Sequence, residues 1–172
     1  MKTNIILIGM PGAGKSTVGR LLACELGRPF IDTDELIVRR EGKTLAAIIE
    51  QQGLASFCEI EERHILSLDL DAHVVATGGS VVYSDRAMDY LMNSGILIYL
   101  RVPLDLIRDR IDLGTRGVVI QPGQNLEHLW EERTPLYESY ADVVIDCDAR
   151  PDGQVVAEII AHEKVRGLRA AQ

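Results

Sequence analysis

The nine residues Gly9-Met10-Pro11-Gly12-Ala13-Gly14-Lys15-Ser16-Thr17 constrain this chain more than any others, because they satisfy G-x-x-x-x-G-K-[ST] without a mismatch. The flanks give the pattern its meaning. Ile5-Ile6-Leu7-Ile8 is continuously apolar, as a parallel strand buried on both faces must be, and Val18, Leu21, Leu22 and Leu26 fall on one face of a following helix. Glycines at 9, 12 and 14 permit positive φ and let N–H groups approach phosphate oxygens, while the helix offers the positive end of its dipole. The expected ligand is ATP with Mg2+: Gly12, Ala13, Gly14 and Thr17 surround the phosphates, Lys15 reaches the β and γ groups, and Ser16 gives its hydroxyl to the metal. The plainer alternative, a Gly-rich turn that binds nothing, leaves the strand, loop and helix order unexplained.

Composition narrows the class. Of 172 residues, 47% are hydrophobic and 26% charged, which suits one soluble domain spanning 1–172 and excludes a disordered or fibrous chain. The net charge of -8 opposes general nucleic-acid binding, which relies on clustered Lys and Arg, yet a local positive pocket can still take a small anion. Cys24, Cys58 and Cys147 are odd in number and form no C-x-x-C pair, so they indicate neither a disulfide framework nor a zinc site. The apolar run before Gly9 is too short for a signal peptide or a membrane span. A cytoplasmic monomer that acts on a small molecule and contacts no membrane is the expectation.

Further along, Gly27-Arg28-Pro29 stops the first helix, and Phe30-Ile31 is a short strand ending in Asp32-Thr33-Asp34. Ligands bind off the carboxyl ends of strands in open α/β sheets, so this acidic pair is placed for metal and substrate work. Asp32 can hold Mg2+ through a water and Asp34 can accept a proton from an attacking hydroxyl; alternatively, one of them only caps the next helix. Helices are expected over Glu35–Arg40, Leu45–Gln52 and Ala55–Leu70, with Glu59, Glu61 and Glu62 read as a solvated face. Val74–Thr77 is a strand ending in Gly78-Gly79-Ser80, either a backbone cradle or a plain turn. A helix over Asp85–Asn93, a buried strand over Ile96–Leu100 and a helix opened by Pro103 follow. Gly114 to Gly123 then breaks the rhythm with three glycines and a proline, as a lid does, and Arg116 is either its catalytic cation or a surface residue. A helix from about Asn125 to Tyr140, kinked or restarted at Pro135, precedes the last strand, Val143–Asp146, and a terminal helix to about Lys164. The four histidines lack a partner at any recognised spacing and receive no catalytic role.

This set of motifs in this order resembles the shikimate kinases, across nearly the full length of the chain. The phosphate loop, Asp32-Thr33-Asp34, the Gly78-Gly79 pair and Arg133-x-Pro135-Leu136-Tyr137 carry the resemblance. It implies an α/β P-loop kinase fold with a five-stranded parallel sheet, a helical substrate-binding region over 33–70 and a lid over 112–124. It further implies ATP-dependent phosphorylation of a shikimate ring hydroxyl. In that mapping Lys15 and Ser16 bind phosphates and Mg2+, Asp32 serves the metal, and Asp34 serves the substrate hydroxyl. Gly78 and Gly79 hold the ring, Arg133 pairs with the carboxylate, Arg110 and Arg150 flank adenine, and Arg116 is the lid arginine.

Three departures are visible. Phe57-Cys58 stands where the family usually has Phe-Arg, so one of two carboxylate-gripping cations is missing. A charge-assisted hydrogen bond of that kind is worth about 1.5–3 kcal/mol. The third glycine of the family's Gly-Gly-Gly is replaced by Ser80 or deleted, and Arg116-Gly117-Val118-Val119 replaces the usual Arg-Pro-Leu-Leu. Arg63, one turn beyond Glu59, is expected either to pair with Glu59 or to swing in for the missing Arg. Cys58 leaves open a same-fold kinase with another hydroxylated acceptor. A nucleotide-binding regulatory protein without turnover is a further reading, but it would need none of the acceptor-side charges at Asp34, Arg116 and Arg133.

Overall fold

The computed structural model describes residues 2–111, 118–120 and 123–169. Five strands, β1 (Asn4–Ile8), β2 (Phe30–Asp32), β3 (Val74–Ala76), β4 (Gly95–Arg101) and β5 (Val143–Asp146), pair in parallel in the order β2-β3-β1-β4-β5. The most apolar strand takes the centre. All five residues of β1 are buried, Ile6 standing beside Val75 of β3 and Leu97 of β4. The phosphate loop therefore leaves the carboxyl end of the middle strand, where the crossover connections diverge and a crevice must open.

Helices α1 (Lys15–Leu26), α2 (Thr33–Glu41), α3 (Leu45–Leu66), α4 (Asp85–Ser94), α5 (Leu104–Arg110), α6 (Leu126–Tyr140), α7 (Asp152–Ala161) and α8 (Glu163–Arg169) complete the described elements, with one 3-10 turn at Val81–Tyr83. The break expected at Gly53 is present: with φ 83° and ψ 167° it interrupts the helical backbone and kinks α3 into two helical stretches, the second of which stops at Leu66, short of Leu70. Pro135 lies inside α6, which does not restart there. The terminal segment breaks at His162 into α7 and α8. Most of the expected lid, 112–117 and 121–122, lies outside the described residues.

Two apolar clusters result. The larger sandwiches the sheet. The smaller joins Ile37 of α2, Ile48, Phe57 and Ile60 of α3, and Val119, so the helical region beside the sheet has its own core and packs against a residue within the expected lid segment. No helix among the described residues is long and apolar enough to cross a membrane.

At the opposite edge of the sheet, the buried side chain of Asn4 joins three segments. Its Oδ1 accepts from the His73 N–H (2.8 Å) and its Nδ2 donates to the Ser94 carbonyl (2.8 Å). The Asn4→Ala change strands the His73 N–H, while the Ser94 carbonyl keeps the Thr3 N–H (3.2 Å), and a loss of about 1–3 kcal/mol in unfolding free energy is expected from denaturant titration. A loss of only a few tenths would show that the three segments are held by packing alone.

Candidate active site

The phosphate loop is shaped by its own backbone. Gly14, at φ 88°, is the left-handed residue from which α1 begins, and the helix accepts no side-chain cap there. That leaves N–H groups at its start directed into the loop. Lys15 is nearly buried and lies along the loop, its Nζ donating to the carbonyls of Gly9 (2.7 Å) and Met10 (2.8 Å). Of its three N–H bonds one remains for a phosphate. Burial lowers its pKa to about 8, against the opposing pull of Asp34 and Asp32. Ala13, grouped with the phosphate-binding residues by its place in the motif, turns its methyl into the core and commits its N–H to Met10 O (3.1 Å).

Asp32 uses its two oxygens differently. Oδ1 caps α2, accepting from the N–H groups of Asp34 (3.0 Å) and Glu35 (3.2 Å), while Oδ2 accepts from Ser16 Oγ (2.6 Å). The Ser16–Asp32 pair offers hard oxygen donors of the kind Mg2+ takes. Among the described residues no group of three or more His, Cys, Asp or Glu could hold a metal by itself. A Mg2+ bound here would complete its shell with phosphate oxygens and water, which is how this ion sits in phosphoryl-transfer sites.

The other side of the cleft is built around the turn after β3. Neither Gly78 nor Gly79 has positive φ; what they supply is room. A Cβ on Gly78 would lie 2.2 Å from Glu61 Oε1 and 2.7 Å from Asp34 Oδ1, and one on Gly79 would lie 2.7 Å from Pro11 Cδ and 3.2 Å from Arg133 Nη1. Asp34 is partly buried, and its pKa rises to about 6, first through desolvation and then through Asp32, with Lys15 pulling the other way. Arg133 is fully buried. Its Nε donates to Tyr83 Oη (2.9 Å), its Nη2 donates to Val119 O (2.6 Å), and its guanidinium lies over the Tyr83 ring at 4.9 Å. Its Nη1, beside Gly79, has no partner. Tyr137 of the same helix fixes the turn from below by donating to Gly79 O (2.6 Å).

Lys15, Ser16, Asp34, Gly79, Arg110 and Arg133 line one cleft of about 830 Å³. Asp32 stands directly behind Ser16. Arg150 does not line that cleft; its Nη1 donates to Glu158 Oε2 (2.6 Å), although it and Arg110 both lie near enough to Cys147 to act on its thiol. Arg116 falls outside the described residues.

Two expectations are corrected. The acidic run of α3 is not a uniformly solvated face, because Glu61 is 2% exposed and its Oε2 accepts from Ser80 Oγ (2.6 Å). The spacing carried the signal: Phe57, Ile60, Glu61, His64 and Ile65 form one buried stripe, and Glu61 stands within it. Arg63 neither pairs with Glu59 nor swings inward. It is mostly exposed and donates to Glu41 Oε1 (2.9 Å), an acceptor shared with His64 from the preceding helix. Ser80 adopts an ordinary right-handed conformation, so nothing at that position demands glycine, and its hydroxyl serves Glu61. Cys58 is half-buried, its thiol pushed up by burial and by Glu61 and pulled down by Arg133. Position 58 does not line the cleft itself but a neighbouring cavity of about 280 Å³, which it shares with Tyr83 and Val119.

The shikimate kinase family model matches residues 11–164. A shikimate kinase of Pseudomonas paraeruginosa is 40% identical over 96% of this chain and 97% of its own length, and shikimate kinase 2 of Escherichia fergusonii is 34% identical over 91% and 90%. Among solved structures, shikimate kinase from Acinetobacter baumannii in complex with shikimate superposes with a TM-score of 0.86 at 34% identity, covering 93% of this chain and 92% of that one. The sheet order, the phosphate loop and the acceptor turn thus occur together in a chain that belongs to the shikimate kinase family.

Proposed function

We propose that the protein transfers the γ-phosphoryl group of ATP to a ring hydroxyl of shikimate, giving shikimate 3-phosphate, and does so as a cytoplasmic monomer. The observation that carries the acceptor assignment is the pair Arg133 and Asp34 on either side of the Gly78-Gly79 turn. A buried guanidinium with one terminal nitrogen, Nη1, unused is a receptor for a carboxylate, and a carboxylate at the strand edge beside it is a receptor for a hydroxyl. A hydroxy acid satisfies both.

In this reading Lys15 and the loop N–H groups hold the donor phosphates, and Arg110, with Arg150 nearby, borders the nucleotide's far end. Asp34 orients the hydroxyl and takes its proton as the bond to phosphorus forms, a task helped by a proton affinity already raised by burial. Mg2+, when bound by Ser16 and by Asp32 through water, supplies neutralisation of phosphate charge. Arg116, carried on the lid, adds a cation at the transferring group. Lys15 and Arg133 together offset the charge of two anionic ligands in one narrow cleft, so catalysis is largely positioning and electrostatics.

Purified protein with ATP and Mg2+ should release ADP only when shikimate is added; no shikimate-dependent release at millimolar shikimate would overturn the reading. Cys58→Arg places a second cation at the acceptor end, and the KM for shikimate should fall by about tenfold, the worth of one charge-assisted bond. An unchanged or higher KM would mean that the pocket serves a differently shaped acceptor. Gly78→Ala puts a methyl where Asp34 and Glu61 already crowd, and displacing Asp34 by about 1 Å should lower kcat for shikimate phosphorylation by about a hundredfold while KM for ATP stays within twofold. Activity near the wild-type level would remove Asp34 from the catalytic role.

A further inference from the structure

Two polar atoms at the acceptor turn have no partner. Arg133 Nη1 stands at Gly79, and Glu61 Oε1 stands at Gly78. The first is explained by an acceptor carboxylate; the second is not, because an ionised carboxylate in the same place would meet a like charge. Nor do the two atoms satisfy each other. Glu61 is buried at 2% exposure, holds one hydrogen bond, from Ser80, and has its bare oxygen turned to the same point as Asp34 Oδ1.

We propose that Glu61 is a positioning residue of the acceptor site: through Ser80 it holds the Gly78–Ser80 turn, and it carries a proton on Oε1 whenever the anionic acceptor is seated, so that no second ionised carboxylate stands behind Asp34. The inference rests on the reading of the acceptor as shikimate.

The electrostatics support it. The groups that bear on Glu61 are Asp34 of α2, Ser80 of the turn, Lys15 of the phosphate loop and Arg133 of α6, with the Cys58 thiol on its own helix. Burial acts first to favour the neutral acid, Asp34 acts in the same direction, and Ser80, Arg133 and Lys15 oppose them; the balance brings the pKa up to about 7. A carboxylate seated on Arg133 cancels part of the opposing charge and adds a negative one, so the bound acceptor raises the proton affinity of Glu61 further. Linkage is reciprocal: if the acceptor promotes protonation, protonation promotes binding of the acceptor. Affinity is then fully present below the pKa of the free enzyme and declines as pH rises above it. An Arg at 58 would place a permanent cation beside Glu61 and remove this dependence. Cys58 leaves the proton to do that work.

The test is the KM for shikimate measured from pH 6.5 to 8.5 at saturating ATP. The acceptor carboxylate stays ionised throughout, and a group titrating near neutrality costs up to about tenfold in affinity per pH unit beyond its pKa. Wild-type KM should therefore rise about tenfold between pH 7 and 8.5. The KM for ATP, measured over the same range, controls for titration on the phosphate side of the cleft. Glu61→Gln keeps an acceptor for Ser80 and cannot ionise, so its profile should be level. Ser80→Ala removes a bond that favours the ionised form, and the rise should move to higher pH. A level wild-type profile overturns the proposal without any variant, and so does a Glu61→Gln enzyme that keeps the rise. Absence of shikimate-dependent turnover at every pH is a different failure: it overturns the acceptor assignment itself, and this inference with it.

Discussion

The hydrogen bond from Ser16 Oγ to Asp32 Oδ2, 2.6 Å long, is the contact on which the geometry of the cleft depends. Strands β1 and β2 are not neighbours, since β3 lies between them. The phosphate loop and the acidic strand end are therefore fixed to one another by side chains across the top of β3. Because the other oxygen of Asp32 caps α2, the same carboxylate also sets where α2 starts, and Asp34 sits in its first turn. One residue thus fixes the offset between the phosphate loop and Asp34. An error of about 1 Å in such an offset is costly to a phosphoryl transfer.

Above that contact the cleft is a problem in burying charge. Lys15, Asp34 and Glu61 are all moved toward their neutral forms, and desolvation is the leading cause in each case. The cost is contained because opposite charges face one another across the site and because ligands that bring their own charge complete the pairing. Dryness comes from the helical region. Ile37, Ile48, Phe57, Ile60 and Val119 form a core of their own at its flank, and the Val119 carbonyl is tied to Arg133. The same arginine that lines the cleft thus holds a residue within the expected lid segment.

What could be read in advance was whatever lies in a short window. The phosphate loop, the five apolar runs, the cap residues and the acidic pair are local patterns, and each was found where its pattern placed it. Asp32 illustrates how far this reaches: its capping role was legible, but not that its second oxygen is held by Ser16 of the phosphate loop. Glu61 illustrates where it stops. In a run of three glutamates the composition points to solvent, and only the spacing shared with Phe57 and Ile65 marks one of them as buried. Its partner, Ser80, is on another element 19 residues away. Tyr83 and Tyr137, which set the orientation of Arg133 and of the Gly79 carbonyl, owe their roles to the packing of α6 against the turn. No window of sequence contains both members of either pair. Arg63 went to Glu41 for a similar reason: α2 packs on α3 and presents its last turn there, beyond anything the spacing within one helix reveals.

Under the proposed function, Cys58 in place of the family's usual arginine is better understood as a shift in how the anion is recognised than as a defect. Two flexible cations gripping one carboxylate gain contacts but must each be immobilised on binding. Here a single guanidinium is already fixed by Tyr83 from one side, by the Val119 carbonyl from another and by the aromatic ring beneath it, with only Nη1 left to the ligand. Side-chain ordering costs about 0.5–1.5 kcal/mol per immobilised side chain on binding. That amount approaches the low end of what a second charge-assisted bond would return. Prior fixation of Arg133 therefore offsets much of the missing cation. It also makes the site dependent on the charge of its nearest buried neighbour, because a lone arginine has less capacity to hold an anion against an ionised carboxylate than a pair of them.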